Sequence, residues 1–280
     1  MKLRLFLFAL FLNLLFALPL AAQSFDEVFV NGDRLTYQGY EVTRHYNART
    51  RDSIAIIKKN SRLLAELNYG QHFPDSTKFG LFSLLGDGRK QLIIEQNTGG
   101  GNCCNLYWVY DLSPTFRMLY SGMRYDAYNG VSPEDIDGDG VYELVAIVES
   151  FINFDQMSHT SSPMPEVVFK YDLRAGRYKP ASRTFASYLL KGIESDIHKA
   201  QDANARLTTT SSENYHGSYL GAILTVVLKY IYAGREVEGW AFYDREYRLD
   251  DRVAMKAKIK KQLRESVLYN SLHMRGNHRG

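Results

Sequence analysis

Two stretches of this chain are versions of one another, and a repeat limits the possible folds more than any single motif. FSLLGDGRKQLIIEQ at 82–96 aligns with EDIDGDGVYELVAIV at 134–148, an offset of 52, and WVYDL at 108–112 aligns with FKYDL at 169–173, an offset of 61. The second copy therefore carries nine extra residues, most simply in the stretch INFDQMSHTSSPMP. Each unit reads as loop, strand, connection, strand. Such units stack, because none of them buries its apolar face alone. Residues 25–78 supply similar strands without the loop and read as a degenerate third unit.

Strand-like runs fill the chain up to residue 182: RLTYQGYEVTRHY, SIAIIKK, RLLAELN, QLIIEQ, LYWVYDL, LVAIVES and EVVFKYDL, parted by Gly, Asp, Asn and Pro. Twenty Tyr and fifteen Phe add to this bias, since aromatic side chains pack well on a pleated surface. From Arg183 the period changes. Phe185, Leu189, Ile193 and Ile197 fall four apart, as do Leu220, Leu224 and Leu228, and then Met255, Ile259, Leu263 and Val267. The expected organisation is a β-repeat domain over 23–182 and a small helical domain over 183–280, with Pro180 ending the last strand and Ser182 or Thr184 capping the first helix. TTTSSENYHG at 208–217 reads as a linker, and LGAILTVVL before Lys229 as a buried core helix too short for a bilayer.

The first 22 residues carry a basic start, an apolar run, Pro19 and the small pair Ala21-Ala22, the pattern of a secretory signal with the mature chain starting near Gln23. An exported chain, periplasmic or extracellular, meets abundant calcium and an oxidising milieu. The alternative for this segment is an uncleaved membrane anchor. The net charge of +3 falls to about +1 without Lys2 and Arg4, which is no signature of nucleic-acid binding.

EDIDGDGVYEL, at 134–144, holds the chemistry. Asp135, Asp137 and Asp139 alternate, Gly138 and Gly140 permit the positive φ of a tight curl, Val141 offers a carbonyl, and Glu143 stands ninth from Asp135. Oxygen donors so spaced suit calcium, which takes six to eight of them in flexible geometry. An EF-hand is excluded, because its twelfth position is Ala146 and a strand follows. A phosphatase nucleophile loop would follow an apolar strand rather than precede one. A solvated Asp-Gly turn is the simpler alternative. Against it stands repulsion, since carboxylates about 4 Å apart at an effective dielectric of 20 repel by about 4 kcal/mol per pair. With no Lys or Arg beside them in the sequence, these acids call for a cation.

The loop and its strand resemble the FG-GAP and VCBS-type repeats of integrin α-subunit propellers and of many exported bacterial proteins. The residues that carry the resemblance are Asp135, Asp137, Gly138, Asp139, Gly140, Glu143 and Leu144, with Phe79-Gly80 and Leu85-Gly86-Asp87-Gly88 as a weaker copy. It implies calcium at Asp135, Asp137, Asp139, Val141 and Glu143, and blades of a β-propeller. Ser83, Leu85 and Gln91 replace three acids in the first copy, which is not expected to hold metal. Two clear units and one degenerate one imply an open or incomplete propeller-like stack of sheets plus the helical region.

Cys103 and Cys104, in TGGGNCCNLYWVY, are the only cysteines. The pair reads either as a strained vicinal disulfide or as two small buried residues at a strand entry. Gly-Gly-x-His-Cys-Cys phrases recur in some exported VCBS-type proteins, and here Asn102 takes the place of that His. Motifs for zinc hydrolysis, serine hydrolysis and phosphate binding are absent, and His45, His72 and His159 are scattered. The expected function is an exported, calcium-binding interaction protein that takes a protein or glycan ligand on the cell envelope or outside. The alternative is a secreted or periplasmic hydrolase of glycan or cell-wall material using acids near Asp126, Asp135 and Glu149. Nucleic acid is not an expected partner. Membrane contact is expected only through an uncleaved N-terminus or, weakly, through the basic face of the helix after Asp251.

Overall fold

The computed structural model describes residues 24–68, 76–98, 105–127, 129–207 and 213–274. Residues 1–22, read as a signal sequence, with Gln23, His72, and Cys103 with Cys104 lie outside the described residues. Among those described, twelve strands form three four-stranded antiparallel sheets, each a meander in chain order, and six α-helices follow. None of the sheets closes into a barrel. The expected mixture of a strand-rich part and a helical part is what the chain forms.

Sheet 1 comprises β1 (Arg34–Tyr37), β2 (Tyr40–Asn47), β3 (Asp52–Lys59) and β4 (Arg62–Asn68). Read in sequence as one run, RLTYQGYEVTRHY is a hairpin. Gln38 and Gly39 both have positive φ (48° and 78°), as the commonest two-residue hairpin turn requires, and Tyr37 pairs with Tyr40. Sheet 2 comprises β5 (Thr77–Phe82), β6 (Gln91–Asn97), β7 (Asn105–Asp111) and β8 (Arg117–Ser121). Sheet 3 comprises β9 (Asn129–Glu134), β10 (Glu143–Ile147), β11 (Glu166–Asp172) and β12 (Arg177–Pro180). The two copies of the loop motif occupy the same place, between the first and second strands of sheets 2 and 3. The third unit, in sheet 1, has the two-residue turn there instead.

Strand register corrects one detail of the repeat. Leu92 stands opposite Tyr110 and Leu144 opposite Phe169, so the counterpart of Phe169 is Tyr110 and not Trp108 as the YDL match implied. A slip by two residues leaves every side chain on its original face, so the letters alone do not reveal it.

The sheets pack face to face in chain order. Val42, Ala55 and Ile57 of sheet 1 meet Leu92, Ile94 and Trp108 on one face of sheet 2. Ile93 and Val109 on the other face join Leu144, Ala146 and Phe169 of sheet 3 in a core that continues into the helices. The far face of sheet 3, at Val145 and Val168, lies under Phe185 and Leu189.

The helices are α1 (Ala186–Leu189), α2 (Ile193–Arg206), α3 (Glu213–Tyr232), α4 (Glu236–Glu246), α5 (Arg252–Glu265) and α6 (Val267–Met274). LGAILTVVL lies inside α3 with Leu220, Leu224 and Leu228 fully buried, and no described helix is long and apolar enough to cross a membrane. ENYHG, read as the end of a linker, is the first part of α3. The period from Phe185 to Ile197 spans two helices, because Gly192 turns the chain with φ 76°. Ser182 caps no helix; its hydroxyl accepts the Val168 amide at 3.0 Å and ties the end of sheet 3 to the following chain. Met255, Ile259 and Leu263 are buried as the period implies, whereas Val267 begins the next helix, half exposed.

Candidate functional site

The loop between β9 and β10 is closed by its own polar groups. Gly138 and Gly140 take positive φ (72° and 81°), which curls the backbone and turns the acids toward one another. Asp135 Oδ2 accepts the Gly140 amide at 3.2 Å, and Asp139 Oδ1 accepts the Val141 amide at 2.8 Å. Glu143 is fully buried, and its Oε2 accepts the Ile136 amide at 3.0 Å. Asp135, Asp137 and Asp139 are exposed.

The first copy, between β5 and β6, repeats this closure with one of the four acids, Asp87, whose Oδ1 accepts the Arg89 amide at 3.0 Å as Asp139 accepts that of Val141. Gln91, the counterpart of Glu143, is likewise buried, and its Oε1 accepts the Leu84 amide at 2.8 Å. Ser83 stands where the second copy has Asp135, and its hydroxyl donates to the Arg89 carbonyl at 3.0 Å. Arg89 takes the place of Val141, so that carbonyl is the one a calcium loop would turn to its metal. The two loops also touch: the Tyr142 amide donates to the Leu84 carbonyl at 2.8 Å, and Gly86 leaves no room for a side chain against the Gly140 carbonyl.

Oxygens of Asp135, Asp137 and Glu143 lie within 4.8 Å of one another, a hard-donor set of the type calcium takes. A cation already reaches this point. The Lys170 ammonium, from β11, donates to Asp137 Oδ2 at 2.6 Å, Asp139 Oδ2 at 2.9 Å and Glu143 Oε1 at 2.9 Å. Its side chain is 30% exposed, and its nitrogen lies 5.7 Å from the centre of the Phe185 ring. The expectation that no Lys or Arg stands beside the acids is therefore corrected. Lys170 lies 27 residues beyond Glu143 in the chain, and only antiparallel pairing of β10 with β11 brings the two together.

Electrostatics follow the geometry. Burial works to lower the Lys170 pKa, but hydrogen bonds to Asp137, Asp139 and Glu143 outweigh it and raise the value. The same ammonium holds the Asp139 carboxyl below the usual range. Burial pushes Glu143 up, only partly offset by Lys170 and the Ile136 amide. A dication about 4 Å from a fixed ammonium would meet a repulsion of about 8 kcal/mol at an effective dielectric of 20. The donors suit calcium by type, yet two of the three that would hold it, Asp137 and Glu143, are bonded to Lys170. Metal and ammonium would compete for Asp137 and Glu143.

The other candidate residues do not join this site. Asp126 and Glu149 come together at the opposite end of the β9–β10 hairpin, where the Glu149 amide donates to the Asp126 carbonyl at 3.3 Å. Burial raises the pKa of both carboxyls. Asp135, beside Glu134, is at the loop end, so the three acids named for a hydrolase do not meet in one place. His45 is exposed on β2, and His159 lies in the turn His159–Ser161 after β10.

Compared with known protein families, curated proteins and solved structures, the chain matches none of them. The likeness to FG-GAP and VCBS repeats therefore stands on the loop residues alone.

Proposed function

We propose that this chain is an exported interaction protein built as an open, propeller-like stack of three blades, closed on one side by its helices. The sheets serve as a rigid frame, and the ligand is a protein or glycan of the cell envelope or its surroundings. The observation that carries this reading is the fate of the acids. Those of the β9–β10 loop accept from backbone amides and from Lys170, which ties them to the loop's own structure. Three surface clefts are lined in part by Met118, Arg124 and Arg177, by Lys199, Asp202 and Arg206, and by Asp244, Lys256 and Lys260; none of the three is lined by Asp126, Asp135 or Glu149. Face-to-face meander sheets in chain order are the arrangement expected of blades. Calcium enters this reading only as a competitor of Lys170.

The hydrolase alternative draws on one observation, the neighbouring pair Asp126 and Glu149 with carboxyls raised by burial, as a general acid requires. Incubation of the purified protein with cell-wall sacculi tests both. Co-sedimentation without release of soluble sugar is expected. Sugar release that disappears in Glu149→Gln would transfer the function to the hydrolase.

A further inference from the structure

We propose that Lys170 is the resident cation of the β9–β10 loop, a tethered ammonium that takes the role a calcium ion has in loops of this composition. The protein then folds and keeps its loop without metal. This goes beyond the binding role proposed above and does not depend on what the protein binds.

Geometry supports it first. One ammonium has three protons to donate, and Lys170 places them on three different carboxylates at 2.6 to 2.9 Å. Asp137, Asp139 and Glu143 each give one oxygen to it, while the second oxygens of Asp139 and Glu143 close the backbone curl. The ammonium and the loop amides together do what a central ion does. They offset part of the acids' charge, one positive charge against four carboxylates, and fix the direction of each one.

The first repeat supplies an independent comparison within the same chain. By strand register Asp111 is the counterpart of Lys170, since Gln91 pairs with Asp111 just as Glu143 faces Lys170. There the charges are exchanged. The loop carries the cation, Arg89, which grips Asp87 through Nε at 2.8 Å and lies 3.7 Å from the buried Asp111 carboxylate. Where the loop is acidic, the facing strand position is lysine; where the loop is basic, it is aspartate. In both copies the chain compensates the loop with its own side chain.

This competition makes the proposal testable. With the ammonium removed, Asp135, Asp137, Asp139 and Glu143 face one another with only amides to steady them, and calcium gains access to all of them. Lys170→Met should therefore become calcium-dependent, and Lys170→Arg should not.

Thermal melts of the full-length protein and the two variants decide it, each in chelator and in about 10 mM calcium, well above the Kd of about 10⁻⁴ to 10⁻³ M common for extracellular modules. The expected result is a wild-type midpoint that moves by less than about 1 °C, and a Lys170→Met midpoint that starts lower and rises by about 3 °C or more in calcium. A wild-type rise of that size, or no calcium response in Lys170→Met, overturns the proposal. Should Lys170→Met fail to fold in either buffer, NMR of lysine ammonium groups in the wild type gives the answer. A slowly exchanging Lys170 signal that persists in calcium upholds the proposal, and its loss on adding calcium overturns it. Sugar release from sacculi would refute the binding reading and leave these results untouched.

Discussion

Contact between the two repeat loops can be weighed by adding one methyl group. Gly86 has φ +66°, and a Cβ there would lie 2.4 Å from the carbonyl oxygen of Gly140 and 3.0 Å from its carbonyl carbon. Both are backbone atoms, so the clash is relieved only if the loops part by about 1 Å. Beside it runs the Tyr142 to Leu84 hydrogen bond, which the same movement would stretch. Gly88 has nearly the same backbone, φ +77°, with no atom near its missing Cβ. Gly88→Ala should therefore cost only the left-handed strain, about 1 kcal/mol. Gly86→Ala should cost that, plus overpacking of about 1–3 kcal/mol, for a total of about 3 kcal/mol. In a chain of this size the melting temperatures should fall by about 3 °C and about 10 °C respectively. Urea unfolding with unchanged m-values is the assay, and Gly140→Ala, at φ +81° with open space around its Cβ, serves as a second control. Equal losses at Gly86 and Gly88 would refute the stacking of the two loops.

Three further expectations rest on single contacts. Gln91→Ala leaves the buried Leu84 amide without its 2.8 Å acceptor and should lower the unfolding free energy by about 1–3 kcal/mol in urea titrations. Leu224→Ala in α3 opens a cavity at a fully buried position and should cost about 2–5 kcal/mol by the same assay. Burial opposes ionisation of Asp196, but Lys229 and Lys199 outweigh it and hold the carboxyl below its usual value. A carboxyl lowered in the folded state adds stability that is complete above its unfolded value of about 4 and is lost as pH falls through the folded one. This contribution should therefore hold from about pH 7 to 5 and be lost below about pH 4, so the wild type should lose more stability than Lys229→Met across that range in urea titrations run at each pH.

Much of the fold was legible because strands and loops declare themselves locally. Short apolar runs mark β3, β6, β10 and β11, and the Gly-Asp-Gly phrase marks the same loop in two sheets. The buried stripe of Met255, Ile259 and Leu263 was visible as a period of four. What escaped was set by pairing between distant segments. Lys170 reads as an ordinary strand residue until β11 is laid beside β10, and the YDL match misaligned the strand that would have shown Glu143 facing it. One signal was present: Arg89 follows Asp87 in GDGR, so the first loop carries its counter-charge in plain view. The hairpin turn at Gln38-Gly39 was missed because strand propensity runs unbroken on both sides of it. Ser182 was misread because a hydroxyl just ahead of a helical period serves a strand amide as readily as a helix terminus.

The most direct test of this account is a crystal structure of the full-length protein grown in about 10 mM calcium. The account expects the Lys170 ammonium within hydrogen-bonding distance of Asp137, Asp139 and Glu143, as here, with no ion among them. An ion bound by Asp135, Asp137 and Glu143 at about 2.3–2.6 Å, with Lys170 turned out to solvent, would contradict it.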